Sequence, residues 1–152
     1  MMRFSMPHTY SSIKIHIIFG TKRRARWIHE SFEQELWAYM AGTARNKGFL
    51  VLKAGGVEDH IHLLVDLPPE LDVSKAVQVI KANSSHWMKR HVRSFAWCRG
   101  FAAFSVSESM KMKTIAYITN QKKHHKRKSM DEELRELLRL SGVVYKADGL
   151  ME

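Results

Sequence analysis

The chain has 152 residues, 45% of them hydrophobic, and carries 25 Lys and Arg against 15 acids for a formal charge of +10. That is the size of one ordinary domain with a real core, and the charge favours a polyanionic partner, either nucleic acid or an anionic membrane surface. The single cysteine, Cys98, excludes an internal disulfide and a multi-thiolate zinc site, so any bound metal has to rest on His, carboxylate or amide ligands. No apolar run approaches the roughly 18 residues that cross a bilayer, and no secretion-signal core opens the chain. The expectation is therefore a soluble cytoplasmic protein without a membrane partner.

Residues 10–19 alternate, with Ile13, Ile15, Ile17 and Phe19 on one face and Ser12, Lys14, His16 and Ile18 on the other, which predicts a first strand. His16 either borders a site or is an ordinary strand histidine. A basic turn follows, with Lys22, Arg23, Arg24 and Arg26 beside Trp27; it suits phosphate contacts plus base stacking, or is a solvated charged loop. Ser31 to Gln34 has the spacing of a capping box, and Phe32, Leu36, Met40 and Thr43 to Ala44 recur at helical intervals until Gly48, which predicts a first helix. Residues 49–54 form a second strand, and Gly55-Gly56 are expected to turn it into a third.

That third strand is read over residues 55–69, opened by the Gly pair and closed by Pro68-Pro69. Residues two apart in a strand share a face, so His60 and His62 project side by side, while Val57, Ile61, Leu63, Val65 and Leu67 line the opposite, apolar face. Two such imidazoles can share one metal ion, although a His-x-His pair also arises by chance in a chain with nine histidines. Asp72 or Ser74 can cap a long helix with Val73, Val77, Ile80, Ser84 and Trp87 on its apolar side. A fourth strand is placed at about residues 101–107, and Ser107 to Ser109 cap a third helix running to about His125. On it Tyr117 and Gln121 stand four residues apart, on one face. A positive run, Lys122-Lys-His-His-Lys-Arg-Lys128, precedes a second capping box at Ser129 to Glu132 and a short amphipathic helix through Leu134, Leu137, Leu138 and Leu140, ended by Gly142.

The order is that of an α+β, ferredoxin-like (RRM-like) βαββαβ antiparallel sheet with helices on one face, a further C-terminal helix and a short extension. Its first and third strands are central neighbours, which would set His16 beside His60 and His62. One domain, 1–152, is expected, with a core at about 10–125 and a helical extension at 126–152.

The combination of Asp59-His-Ile-His-Leu-Leu-Val65 with Tyr117-Ile-Thr-Asn-Gln121 downstream, in a basic chain with no cysteine ligands, resembles the single-tyrosine HUH transposases. These are the small TnpA-type insertion-sequence enzymes and the REP-associated tyrosine transposases. The resemblance extends to Ile15-His-Ile-Ile-Phe-Gly-Thr-Lys22, to Val73-Ser-Lys75 and to residues 84–87, while residues 124–145 look more like the stand-alone and REP-associated members. Carried over residue by residue, it implies that His60, His62 and Gln121 hold a divalent metal, Mg²⁺ or Mn²⁺, and that Tyr117 is the nucleophile. It also implies a 5′-phosphotyrosine intermediate, a single-stranded and usually hairpin-bearing DNA substrate, and a homodimer in which Tyr117 can serve the partner's site. The basic residues Lys22, Arg23, Arg24, Arg26, Lys122, Lys123, Lys126 and Arg127 are the candidate DNA contacts. His124 is a candidate helper in deprotonating Tyr117. The alternatives are an RRM-like module that grips single strands through Trp27, Tyr10 and the basic runs without chemistry, and a domesticated relative that binds hairpin DNA but no longer moves it.

Overall fold

The computed structural model describes residues 8–146; the first seven and last six residues, the ends of the expected 1–152 domain, lie outside the described residues. Strand β1 (Lys14–Gly20) leads through a short basic 3₁₀ turn to helix α1 (Glu33–Asn46), then to β2 (Leu50–Val57), β3 (His60–Asp66), helix α2 (Val73–Met88) and β4 (Ala102–Val106). Three helices follow: α3 (Lys111–Thr119), α4 (Gln121–His124) and α5 (Met130–Leu140). The four strands form one antiparallel sheet in the order β2-β3-β1-β4, so β1 and β3 are its central pair. This is the expected ferredoxin-like arrangement.

Period-two patterning divides the two faces of the sheet. Ile17 and Phe19 of β1 and Ile61, Leu63 and Val65 of β3 are buried in the main core, where they meet Leu36, Met40 and Ala44 of α1 and Val77, Ile80 and Trp87 of α2. Each such Val, Leu, Ile, Phe or Met side chain taken from water stabilises the fold by roughly 1.5–3 kcal/mol. The other face carries His16, His60 and His62, all buried, and receives α3, α4 and α5. One sheet therefore has a purely apolar side and a side on which buried polar groups collect.

Three local expectations are corrected. Gly55-Gly56 do not turn the hairpin: they lie inside β2, Val57 ends that strand, and the turn falls at Glu58-Asp59. The glycines serve close packing instead, since a Cβ on Gly55 would meet the Ile118 carbonyl oxygen at 2.7 Å and the Ile118 side chain at 2.9 Å. Helix α3 thus rides directly on the β2 backbone, beside the histidines. The expected box at Ser31 to Gln34 does not form; Ser31 turns to His29, and α1 begins at Glu33 without a side-chain cap. The long third helix is broken at Asn120, which divides α3 from α4. By contrast, Asp72 accepts from the Lys75 amide at the start of α2, and Ser129 accepts from the Glu132 amide at the start of α5.

The tight seat of α3 on β2 yields a paired prediction. Gly55→Ala is expected to cost about 1–3 kcal/mol through overpacking. Gly42→Ala, in α1 where nothing lies within 4 Å of a new Cβ, is expected to gain up to about 1 kcal/mol of helix propensity. Urea denaturation of both variants checks this, and an unchanged midpoint for Gly55→Ala contradicts the packing account.

Candidate metal and nucleophile site

The polar face of the sheet gathers its groups from three directions. β3 presents His60 and His62, β1 presents His16, and the C-terminal helices lower Tyr117, Gln121, His125 and Glu133 onto them. His16 borders the site: its Nε2 is 2.8 Å from His62 Nδ1. The His60 Nδ1–H donates to Asp59 Oδ1 at 2.7 Å, and the His125 Nδ1–H donates to the Lys128 carbonyl at 2.7 Å. The opposite nitrogens of these rings then face inward, with His60 Nε2 and His125 Nε2 only 3.0 Å apart.

Glu133 closes the cluster. Its Oε1 lies 3.0 Å from His62 Nε2, 3.1 Å from His125 Nε2 and 3.5 Å from His60 Nε2. Its Oε2 accepts from the Tyr117 hydroxyl and, at 3.1 Å, from the Gln121 amide nitrogen. The Gln121 amide oxygen is 3.0 Å from His125 Nε2. Donor atoms of His60, His62, His125 and Glu133 all lie within 4.8 Å of one another, a spacing at which one ion could be held. His60, His62, Gln121 and Tyr117, selected from the sequence, are thus brought together within one chain.

Burial sets the protonation of the cluster. It drives the His16 imidazole down to about 3, helped by the charge of His62, and the His62 imidazole down to about 4 against the pull of Glu133. Burial also works to lower His60, but its hydrogen bonds to the Asp59 and Glu133 carboxylates outweigh that and hold it above the usual range. For Glu133 burial is likewise overridden, by hydrogen bonds from His125, His60 and His62, and the carboxyl sits far below the ordinary glutamate range. Tyr117 is pushed well above an ordinary phenol by desolvation and then by the hydrogen bond and charge of Glu133. At rest the proton stays on the phenol and the negative charge on Glu133.

Two site residues escaped the sequence reading, and both had a signal. Glu133 stands at i+3 from Met130 and one residue before Leu134, in register with the buried stripe of α5; an acid in an apolar stripe is the mark of a placed charge. His125 is one further four-residue step along the series Tyr117, Gln121. His124, the expected helper, lies with its ring 4.7 Å from that of Tyr117, but the hydroxyl's partner is Glu133.

The basic residues divide into two groups. Arg24 pairs with Asp131 at 2.5 Å, and Lys122 with Glu33 at 2.8 Å and Glu30 at 3.6 Å, so these two cations tie the fold together. Lys22, Arg23, Arg26, Lys123, Lys126 and Arg127 are exposed and make no ion pair with another described residue. Trp27, the expected stacking platform, is turned inward, 5.4 Å from the ring of Phe95 and against the core. Two clefts of about 630 and 680 Å³ flank the cluster, one bordered by Arg26, Asp59 and His125 and the other by Tyr117, Lys123 and Glu133, and residues 126–128 line both.

Residues 9–121 match the family model of IS200-like transposases. The chain belongs to the IS200-like, single-tyrosine transposase family. This transposase is 29% identical over 139 residues to the transposases of insertion sequence element IS200 from Salmonella typhimurium and Salmonella typhi, covering 86% of this chain and 88% of each of those. In fold it is similar to a candidate transposase from Deinococcus radiodurans, with a TM-score of 0.64, 20% identity, and coverage of 78% of this chain and 98% of that one. It is also similar to a REP-associated tyrosine transposase solved bound to a REP hairpin, with a TM-score of 0.58, 18% identity, and coverage of 99% and 93%. No helix among the described residues is long and apolar enough to cross a membrane.

The depressed histidines predict acid lability. Below about 6.5 the unfolded chain protonates His16, while the folded chain refuses that proton until about pH 3. The stability this group contributes is therefore present above 6.5 and lost as pH falls through that window, by about 1.4 kcal/mol per pH unit. In metal-free transposase His16→Gln should flatten the fall in stability between pH 6 and pH 4 by about that slope, read from urea denaturation at each pH. Parallel pH profiles for the two proteins contradict it.

Proposed function

We propose that this transposase cuts and rejoins single-stranded DNA through a 5′-phosphotyrosine on Tyr117, with a divalent metal held by His60, His62 and Gln121. The observation that carries the reading is the convergence, in one chain, of the Tyr117 phenol, the Gln121 amide and the His60 and His62 rings. The residues fit a metal: the Asp59 bond commits the His60 Nδ1 proton, which leaves Nε2 of the neutral ring as an inward lone pair, and the Gln121 carbonyl oxygen is turned to the same cluster. A bound Mg²⁺ or Mn²⁺ supplies Lewis-acid polarisation of the scissile phosphodiester.

The chain's own residues supply the remaining parts. The Tyr117 oxygen forms a bond to phosphorus as the bond from phosphorus to the DNA 3′ oxygen breaks, so the phosphoester is conserved and a later 3′-hydroxyl can reverse the step. The phenol proton passes along its existing hydrogen bond to Glu133 Oε2 as attack on phosphorus makes the phenol acidic. Arg26, Lys123, Lys126 and Arg127, which line the clefts, and the exposed Lys22 and Arg23 hold the strand by its phosphates, while Arg24 and Lys122, paired with Asp131 and with Glu33 and Glu30, steady the segments that carry them. A hairpin-bearing strand is the proposed substrate, in keeping with the REP hairpin on the structural relative. A homodimer remains part of the reading, but one chain alone brings Tyr117 to the His pair, which supports action in cis.

Tyr117→Phe removes one oxygen while its ring still packs against His62 and His124, so fold and DNA affinity should stay within about twofold of wild type and the covalent adduct should vanish. Incubation with Mn²⁺ and a labelled single strand, denaturing electrophoresis and mass-spectrometric mapping of the adduct test this. An adduct on Tyr10, Tyr39 or Tyr145, or cleavage without any adduct, overturns the mechanism.

The exposed cations give a separate prediction. Replacing Lys123, Lys126 and Arg127 by Gln should reduce the slope of log affinity against log salt by roughly 0.7 for each phosphate of a single strand that is no longer neutralised. Binding titrations at several salt concentrations read it, and an unchanged slope removes this segment from the DNA path.

A further inference from the structure

We infer that His125 and Glu133 are metal ligands, so that the site is a three-histidine, one-carboxylate set whose last two members come from the segment after Gln121. The inference rests on the metal-dependent reading above and deepens it. Hydrogen-bond directionality carries the first step. A backbone carbonyl only accepts, so the Lys128 oxygen fixes the proton of neutral His125 on Nδ1; Asp59 does the same for His60. Two ring nitrogens with lone pairs then face each other at 3.0 Å, and both face the Glu133 Oε1 lone pairs. Such a cluster has to hold a cation among its lone pairs, either protons shared with Glu133 when the site is empty or a metal ion in their place.

Distances carry the second step. Ligands bonded to one ion at about 2.0–2.1 Å stand roughly 3.0 Å apart at right angles and roughly 3.4 Å apart at tetrahedral angles. The separations of 3.0 Å between His60 and His125, 3.0 Å between His62 and Glu133, 3.1 Å between His125 and Glu133 and 3.5 Å between His60 and Glu133 are edges of that size. Each ring is also backed as a metal-bound histidine is backed, by a carboxylate, a backbone carbonyl or another imidazole on its outer nitrogen.

Two consequences follow from the donor set. Three imidazole nitrogens suit a divalent transition ion such as Mn²⁺ better than Mg²⁺, which prefers oxygen. Glu133 spans the site, with Oε1 among the histidine nitrogens and Oε2 on the Tyr117 hydroxyl, so a single carboxylate would tie the nucleophile to the ligands of a bound ion. Gln121 would add a fifth donor to this set, and the bound ion would supply Lewis-acid polarisation to a phosphate oxygen brought beside it.

The test is Mn²⁺ binding to the full chain without DNA, by calorimetry and by pulsed electron paramagnetic resonance that counts coordinated imidazole nitrogens. Wild type should show three such nitrogens. His125→Ala should show two and bind at least tenfold more weakly, and Glu133→Gln should lose at least tenfold in affinity with three nitrogens retained. Two nitrogens in wild type, or wild-type affinity in both variants, overturns the inference whatever the variants' stability, because the wild-type count needs no substitution. His60→Ala/His62→Ala separates the two readings. If that double variant loses Mn²⁺ while His125→Ala and Glu133→Gln bind as wild type does, only the extended ligand set fails. If it binds as tightly as wild type, or if wild type binds no Mn²⁺, the metal site at the His pair fails with it.

Discussion

The site depends on one buried carboxylate. Glu133 reaches two sheet histidines, the histidine that follows α4, a glutamine and a tyrosine at once, and a charge so little exposed to water is tolerated only because these partners surround it. Replacing it by an apolar group would leave the Tyr117 hydroxyl and the Gln121 amide without their shared acceptor. The same bonds attach α5 to the sheet at its polar face, while Met130, Leu134 and Leu138 bury the helix's apolar side around them. Packing brings the helix down, and the charge fixes where along the sheet it stops.

Everything else in the site is arranged to make that docking possible. The ferredoxin-like topology sets β1 and β3 side by side, which places His16 next to His62. Gly55 lets α3 approach the β2 backbone within a distance that any side chain would forbid, and Tyr117 is carried with it. The break at Asn120 then separates α3 from the short turn bearing Gln121 and His125. The cationic segment at residues 122–128 lines the clefts on both sides of this assembly, so the charges proposed to meet DNA phosphates adjoin the groups of the site in sequence. The exposed cations Lys123, Lys126 and Arg127 and the site residues Gln121 and His125 therefore come from one segment.

Much of this was legible in the sequence because it rests on local patterning. Alternation gave β1 and the two faces of β3, helical spacing gave the buried side of α2, and the His60, His62, Tyr117 and Gln121 pattern marked the residues that the fold brings together. What was missed depends on distant packing. Gly55-Gly56 read as a turn because glycine pairs usually are turns, and nothing local announces that a helix far along the chain will press on them. Trp27 read as a stacking platform because its neighbours are charged, yet its indole is drawn into the core by Phe95. Glu133 was hidden by its surroundings: in an acidic first turn, where Asp131, Glu132 and Glu133 all suit a helix N-terminus, only its register with Met130 and Leu134 sets it apart.

The C-terminal helix, on this account, belongs to the reacting centre. Anomalous diffraction at the manganese edge, from crystals of the Tyr117→Phe protein with Mn²⁺ and a hairpin-bearing single strand, tests that most directly. The account predicts one strong peak bounded by His60, His62, His125, Gln121 and Glu133, with a DNA phosphate between that ion and the ring of residue 117. A peak elsewhere, or an ion held by His60 and His62 with α5 and Glu133 moved away from it, would contradict the account.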